Sequence, residues 1–202
     1  MKKIFLILTV FFFIPFTFMA QDNEKDIKVS VDSKYTHTKS GYGQITFGLF
    51  YPITGDVFLP YTNNKIDSNQ CYLGGFFGLT NIPGHFDLSW LRYGFNFEIL
   101  PNDYDTAFFL NFDMKIQLPI IIRNNKTDYD FGICPFVQAG AGASFICWNW
   151  SVSGGVDVSF NRSYGFGAKY TWKNVNPYGD LTKSFSYQRI EIYFFYWPFS
   201  CF

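Results

Sequence analysis

The sequence is poor in the residues that bind metals and cofactors. It has two histidines in 202 residues, and its four cysteines lie 63, 13 and 54 residues apart. That spacing matches no zinc-ligand pattern. No G-x-x-x-x-G-K or G-x-G-x-x-G sequence occurs in a phosphate-binding context. The sequence therefore predicts no metal, nucleotide or other cofactor.

The sequence also lacks an excess of charge of either sign. Sixteen Lys and Arg balance sixteen Asp and Glu, so nothing indicates a nucleic-acid partner, which would require a basic surface. Charged residues make up 16% of the chain and apolar residues 48%. This composition excludes a disordered chain, because enough apolar surface is present to be buried.

Beyond residue 20 no apolar run approaches the length of a membrane-spanning helix. The first twenty residues read as a secretory signal peptide: Lys2 and Lys3 precede an apolar run over 4–18, and Ala20 is the small residue at the expected cleavage site. The residue after this site is Gln21 and not cysteine, so no lipid anchor on an N-terminal cysteine is expected. We predict a signal peptide over 1–20, a polar segment over 21–40 and one domain over 41–202.

The sequence is rich in aromatic residues, and many of them belong to segments in which apolar and polar residues alternate. Residues 107–118 place six apolar side chains on one face and mostly polar ones on the other, as expected for a strand. Seven further segments follow the same period of two: 44–51, 73–80, 91–99, 137–145, 151–160, 164–172 and 189–196. The pattern predicts an all-β protein: an antiparallel up-and-down barrel of eight strands, with ten as the alternative.

Three segments fit this order less simply. The alternation of Ile27, Val29 and Val31 indicates an edge strand before the barrel. Phe86, Leu88 and Trp90 are out of register with Leu91, which predicts a bulge between 90 and 91. The stretch 119–130 is long for a simple turn.

The chemistry of the two faces favours a transmembrane barrel. The apolar face carries large aromatics and no charge, whereas the opposite face is small, polar and rich in glycine. Large apolar side chains facing lipid and small polar side chains facing the lumen suit a narrow barrel in a bacterial outer membrane. The alternative is a secreted, soluble, lipocalin-like barrel whose apolar face points inward to bind an apolar ligand.

The polar face carries four charges of each sign. An eight-stranded barrel is only wide enough inside for side chains, and enclosed charges must be paired because an unpaired one is costly. We predict a lumen filled by an ion-pair network; its members are Arg92, Glu98, Asp113, Lys115, Asp157, Lys169, Arg189 and Glu191. The alternative is a narrow path for ions or small solutes lined by the same residues.

Over residues 41–202 the chain resembles the small bacterial outer-membrane barrels of the OmpX and OmpA transmembrane-domain group. The resemblance lies in the signal peptide, the eight alternating segments, the stretch PFVQAGAGAS over 135–144 and the terminal Phe202. It implies outer-membrane lipids and the barrel-assembly machinery as partners. Pro198 and Ser200 interrupt the terminal alternation on which that machinery depends, so the terminal signal is partial. The resemblance transfers no active site.

These observations predict a non-enzymatic outer-membrane protein with a structural role or a surface-interaction role through predicted loops over 52–70 and 173–184. A lipid-modifying enzyme is a further alternative, since His85, Asp87 and Ser89 share one face of an extended segment. Strand residues two apart lie about 7 Å from each other, too far for direct proton transfer.

The four cysteines allow three disulfide pairings in an oxidising compartment; the residues are Cys71, Cys134, Cys147 and Cys201. Cys134 and Cys147 flank one predicted strand and are therefore expected near opposite ends of the barrel, where they do not pair with each other.

Overall fold

The computed structural model describes residues 27–31, 43–59, 64–80, 91–101, 106–118, 120–124, 129–145, 147–179 and 184–196. These form eleven β-strands and one short 3-10 turn at Ser68–Gln70. The strands are β1 (Ile27–Val31), β2 (Gln44–Leu59), β3 (Asn64–Asp67), β4 (Gly74–Thr80), β5 (Leu91–Pro101), β6 (Thr106–Gln117), β7 (Ile120–Asn124), β8 (Tyr129–Ala143), β9 (Cys147–Phe160), β10 (Tyr164–Pro177) and β11 (Phe185–Tyr196). No helix in this part of the chain is long and apolar enough to cross a membrane.

Eight of the strands close into an antiparallel barrel. Around the wall the order is β8, β6, β5, β4, β2, β11, β10 and β9, and pairing of β9 with β8 closes the circle. Each of the eight predicted segments lies on one of these strands, apart from one or two terminal residues, so the prediction of an eight-stranded barrel is confirmed.

The registers fix how steeply the strands are tilted. Following paired residues around the wall from Phe112 on β6 leads back to Ile122 on β7, ten residues further along. A stagger of ten over eight strands corresponds to a tilt of roughly 40° and leaves an interior that side chains can fill. The inward side chains must therefore pack against one another.

The two ends of the barrel have different structures. We call the end where β2 begins and β11 finishes the proximal rim, and the opposite end, where β5 meets β6, the distal rim. At the proximal rim β7 continues β6 in an unchanged register against β8, and Leu118 N donates to Pro135 O at 2.9 Å across the join. Within the stretch 119–130, the described residues 120–124 and 129–130 are therefore paired strands that lengthen the hairpin of β6 and β8.

β1 pairs with the outer edge of β7, so the predicted edge strand over Ile27, Val29 and Val31 is confirmed. The predicted bulge between 90 and 91 and the cluster of His85, Asp87 and Ser89 lie outside the described residues.

The prediction of a long loop over 52–70 is wrong for the described residues of this range. β2 runs on to Leu59 and pairs with β3, and the 3-10 turn follows. We call residues 56–59 and 64–71 the distal cap. The prediction for 173–184 is also corrected, because β10 extends to Pro177. In both places the strands continue past the residues at which their outward side chains stop being apolar.

The path of β2 into the distal cap depends on Gly55. The register against β11 shifts between Gln188 and Arg189, leaving Ile53 as an extra residue on β2. Gly55 follows with a φ of 99°, in the left-handed region that favours glycine. A side chain there would lie 2.3 Å from Ser186 O. The bulge and the glycine together turn the strand over the distal rim.

Candidate functional site

The candidate site is the lumen, because the inward side chains of the barrel strands include every described charged residue that is buried. Alternation along β5, β6, β9, β10 and β11 turns these residues inward, as the strand geometry requires. Nine are buried: Arg92, Glu98, Asp113, Lys115, Asp157, Lys169, Lys173, Arg189 and Glu191. Eight of the nine are the residues named from sequence.

The centre of the lumen is a five-residue ion cluster around Glu98 and Arg189. Arg189 donates from both terminal nitrogens to Glu98, at 2.6 and 2.8 Å, and from Nε to Glu191 Oε1 at 2.9 Å. Lys173 Nζ lies 2.5 Å from Glu98 Oε2, and Lys169 Nζ lies 3.2 Å from Glu191 Oε2. A forked guanidinium contact of this kind fixes both partners in direction as well as distance.

A second pair lies nearer the proximal rim. Lys115 Nζ forms an ion pair with Asp157, whose other oxygen accepts a hydrogen bond from Tyr193 OH at 2.5 Å. The Lys115 ammonium also lies 3.9 Å from the centroid of the Phe136 ring. Carboxylate on one side and ring face on the other leave this cation well compensated.

Asp113 and Arg92 are held by amides in the described structure. Asn96 Nδ2 donates to Asp113 Oδ2, and Asn111 Nδ2 donates to Asn96 Oδ1 at 2.9 Å. Arg92 Nη1 donates to Gln44 Oε1 at 3.0 Å. The structure therefore brings at least six of the eight predicted residues into mutual ion pairs, and carboxamides contact Asp113 and Arg92.

Lys173 is the charged lumen residue that sequence reasoning missed. Its ammonium contacts Glu98 and lies 4.2 Å from the centroid of the Phe109 ring. The signal was present: Lys169, Thr171, Lys173 and Val175 continue one face at a spacing of two. The end of the strand was placed too early because Asn174 and Asn176, at the outward positions, are polar, and polar residues at both faces are typical of a loop.

Apolar side chains close the lumen at the distal rim. A cluster of buried residues fills that end; its members are Phe50, Val57, Ile66, Cys71, Leu100, Ala107, Phe109, Cys147, Val175 and Tyr187. Ile66 and Cys71 belong to the distal cap, which is fastened by a backbone bond of 3.1 Å from Tyr72 N to Pro101 O. The cap thus seals the cluster from outside.

A cavity of about 50 Å³ lies in the proximal half of the lumen. Its lining includes Arg92, Asp113, Lys115, Gln138 and Lys169. It lies on the proximal side of the central ion cluster, and its polar walls suit water or a small polar solute.

Four buried polar atoms have no hydrogen-bond partner in the described structure. They are Asn111 Oδ1, both amide atoms of Asn149 and the hydroxyl of Tyr187. Asn111 and Asn149 both pair with Gly142, from opposite sides, so these amides lie over the same bare stretch of β8.

The cysteines are thiols in the described structure. Cys71, Cys134 and Cys147 are buried and free, and Cys201 lies outside the described residues. Cys134 lies in the proximal part of β8 and Cys147 at the distal rim, as predicted from their spacing. Burial, aided by the nearby Asp67 carboxylate, raises the pKa of Cys71 to about 11, which keeps this thiol protonated and unreactive at neutral pH. Among the described residues no group of His, Cys, Asp and Glu could hold a metal ion.

We compared the chain with protein families, curated proteins and solved structures. No family model, no curated protein and no solved structure matches the chain. The functional argument therefore depends on the geometry of the barrel.

Proposed function

We propose that the chain is an outer-membrane β-barrel protein of a two-membraned bacterium, with a structural or surface-interaction role and no enzymatic activity. The observation that carries the proposal is the division of charge between the two sides of the wall. Between the rims, the outward side chains of the eight strands include no Asp, Glu, Lys or Arg among the described residues, while nine charges are buried inside. An outer wall without charged residues suits lipid, whereas a surface that faces water usually carries many of them.

The height of the apolar wall matches a bilayer. On β6 and the residue after it, outward apolar side chains run from Phe108 to Leu118. Ten residues at ~3.3 Å each span roughly 33 Å along the strand, or about 25 Å along the axis at a tilt near 40°. That is the height of the apolar band of outer-membrane barrels, about 25 Å.

Aromatic side chains occur near both edges of this wall. Tyr164 and Tyr196 pair across β10 and β11 at the proximal rim, and Trp150 and Trp172 lie with ring centroids 4.6 Å apart towards the distal rim. Rings with one polar atom prefer the interface between hydrocarbon and water. Their placement supports two girdles.

The filled lumen supports a structural role over that of a pore. Among the described residues, the central ion cluster fills the middle of the lumen and the buried apolar cluster fills its distal end. The same filling argues against a soluble barrel that binds an apolar ligand, because that function needs an apolar cavity inside. Here the inner face carries the charges and the apolar face is exposed.

The distal rim is the surface we propose for interaction with a partner. Tyr72, Leu73 and Tyr178 are each about half exposed there, next to the distal cap. Export by the predicted signal peptide and insertion by the barrel-assembly machinery belong to the same proposal.

The test is the electrophoretic mobility of the detergent-extracted protein, loaded with and without boiling. A closed membrane barrel resists SDS until heated, so we expect a mobility shift, together with recovery in the outer-membrane fraction. The extracted protein should give no stepwise conductance in planar bilayers.

Three outcomes would contradict the proposal. Recovery of unshifted protein in the soluble fraction would show that the apolar face does not contact lipid. Steady conductance steps would favour the narrow pore. Altered lipid A in cells that express the protein, absent in a Ser89→Ala variant, would favour the lipid-modifying enzyme.

A further inference from the structure

A group of polar side chains lies on the outer face of the barrel towards the distal rim. We call it the outer polar patch; its members are Thr54, Tyr170, Trp172, Asn174, Ser186 and Gln188. On β10 and β11 these residues alternate with buried ones, which places their side chains outside. Trp172 pairs with Gln188, and Asn174 pairs with Ser186, so these four are neighbours on the surface. No member of the patch is charged.

Hydrogen bonds within and beside the patch engage the carbonyl oxygens of its two amides. Gln188 Oε1 accepts from Thr54 Oγ1 at 2.8 Å and from Tyr170 OH. Asn174 Oδ1 accepts from Asn176 Nδ2 at 2.7 Å. These bonds do not use the protons of the amide nitrogens of Gln188 and Asn174. The patch therefore presents two NH2 groups as hydrogen-bond donors.

The patch lies at the height where the hydrocarbon of a membrane would end. Gln188 lies four residues distal of Ile192, which pairs with Leu49 in the middle of the wall. Four residues at ~3.3 Å each and a tilt near 40° place Gln188 about 10 Å from the middle of the wall. The apolar band of outer-membrane barrels is about 25 Å tall. If the proposed function is correct, on which this inference rests, the patch contacts lipid headgroups.

The polar groups are not a general feature of the wall at this height. On the opposite side of the barrel, Ile99 of β5 pairs with Phe108 of β6 near the distal edge of the wall. Both side chains are apolar, and Ile99 is exposed. An interfacial girdle would be expected on all sides of a barrel. The concentration of amides and hydroxyls on one side indicates a site.

The chemistry of the patch suits a sugar. Amide nitrogens donate hydrogen bonds, and the exposed Ser186 hydroxyl both donates and accepts, as the hydroxyls of a sugar do. The rings of Trp172 and Trp150 lie edge to face with centroids 4.6 Å apart and offer apolar surface for the C–H face of a sugar ring. Phosphate is bound by Arg or Lys, and the patch contains neither.

We infer that the outer polar patch binds the uncharged sugar headgroup of a glycolipid in the leaflet at the distal rim. The probe is octyl glucoside, compared with the octyl ether of tetraethylene glycol, which has the same alkyl chain and no sugar ring. Both are titrated into the protein folded in phosphocholine micelles. We expect octyl glucoside to shift the NMR signals of the Gln188 and Asn174 side-chain amides in a saturable manner. The ether should not do so.

Two variants and a matched control sharpen the test. Gln188→Leu and Asn174→Leu each remove one donor, and each should weaken octyl glucoside binding about three- to tenfold, measured on the amide that remains. Ile190→Leu is the control, because Ile190 lies on the same outer face, two residues from Gln188, and is exposed. Its binding should equal that of the parent. All variants must first show the heat-dependent mobility shift, which establishes that they fold.

Three results would overturn the inference. They are equal shifts with the two octyl compounds, a stronger effect of lysophosphatidylglycerol, which would assign the patch to phosphate, and undiminished sugar binding by both folded leucine variants at positions 174 and 188. A parent protein that shows the mobility shift and does not bind the sugar contradicts this inference alone. A parent that is soluble without detergent and shows no shift contradicts the proposed function as well.

Discussion

At the scale of single residues, the lumen depends on a few groups that each satisfy several others. Glu98 accepts from Arg189 through both oxygens and from Lys173, and Arg189 also lies 4.2 Å from the centroid of the Phe50 ring. Removing one partner of such a buried set leaves the remaining charges uncompensated. Glu98 is therefore the residue whose loss should cost the barrel most.

We expect Glu98→Gln to lower the free energy of unfolding by about 3–5 kcal/mol, because Arg189 and Lys173 lose their shared carboxylate while the shape is kept. Urea titration of the folded protein in lipid vesicles measures this. The control is Asp67→Asn on the exposed part of the distal cap, which should change the value by no more than about 0.5 kcal/mol. Equal effects of the two substitutions would show that the lumen cluster is not a source of stability.

At the scale of elements, β8 is unusual because two of its inward positions, Gly140 and Gly142, carry no side chain. Gly140 and Gly142 lie beneath Asp113 and Asn111 of β6, and the side chains of β6 lean across them. A side chain on Gly142 would meet Leu110 O at 2.4 Å and Asn111 Cα at 2.8 Å. The approach of β6 to β8 thus requires glycine at this position.

We expect Gly142→Ala to destabilise the barrel by about 1–3 kcal/mol, because the backbone of β6 must move to admit a methyl group. Gly154 is the matched control, since a side chain there would meet nothing nearer than 3.8 Å. Gly154→Ala should be neutral or stabilising by up to about 1 kcal/mol. The temperature at which the unboiled band disappears from the gel ranks the two variants, and the opposite ranking would refute the packing argument.

At the scale of the whole molecule, the wall separates two environments. Every barrel strand presents apolar side chains outward, and the outward rings contact one another across strands, as Phe47 and Phe77 do with centroids 5.0 Å apart. Such a surface on a soluble monomer would aggregate. A charged residue placed in the middle of this wall therefore tests whether lipid surrounds the barrel.

Leu49 and Tyr72 are both 54% exposed, but only Leu49 lies mid-wall. If lipid surrounds the barrel, Leu49→Arg should destabilise it by about 2–4 kcal/mol and Tyr72→Arg by about 0–1 kcal/mol. Unfolding in vesicles of defined lipid measures both. If the two variants were equally stable, and Leu49→Arg more soluble without detergent, the outer-membrane proposal would fail.

The sequence by itself determined which side of each strand is apolar, since strand alternation is local: Phe112 and Asp113 must face opposite ways whatever else the chain does. It therefore sufficed for the eight strands and for eight of the nine buried charges. Pairing is not local. Only the closed barrel decided that Lys173 reaches Glu98, 75 residues away in sequence, that the distal cap folds back over the distal rim, and that the stagger is ten. Register around a ring is set by all the strand pairs together, and no segment contains it.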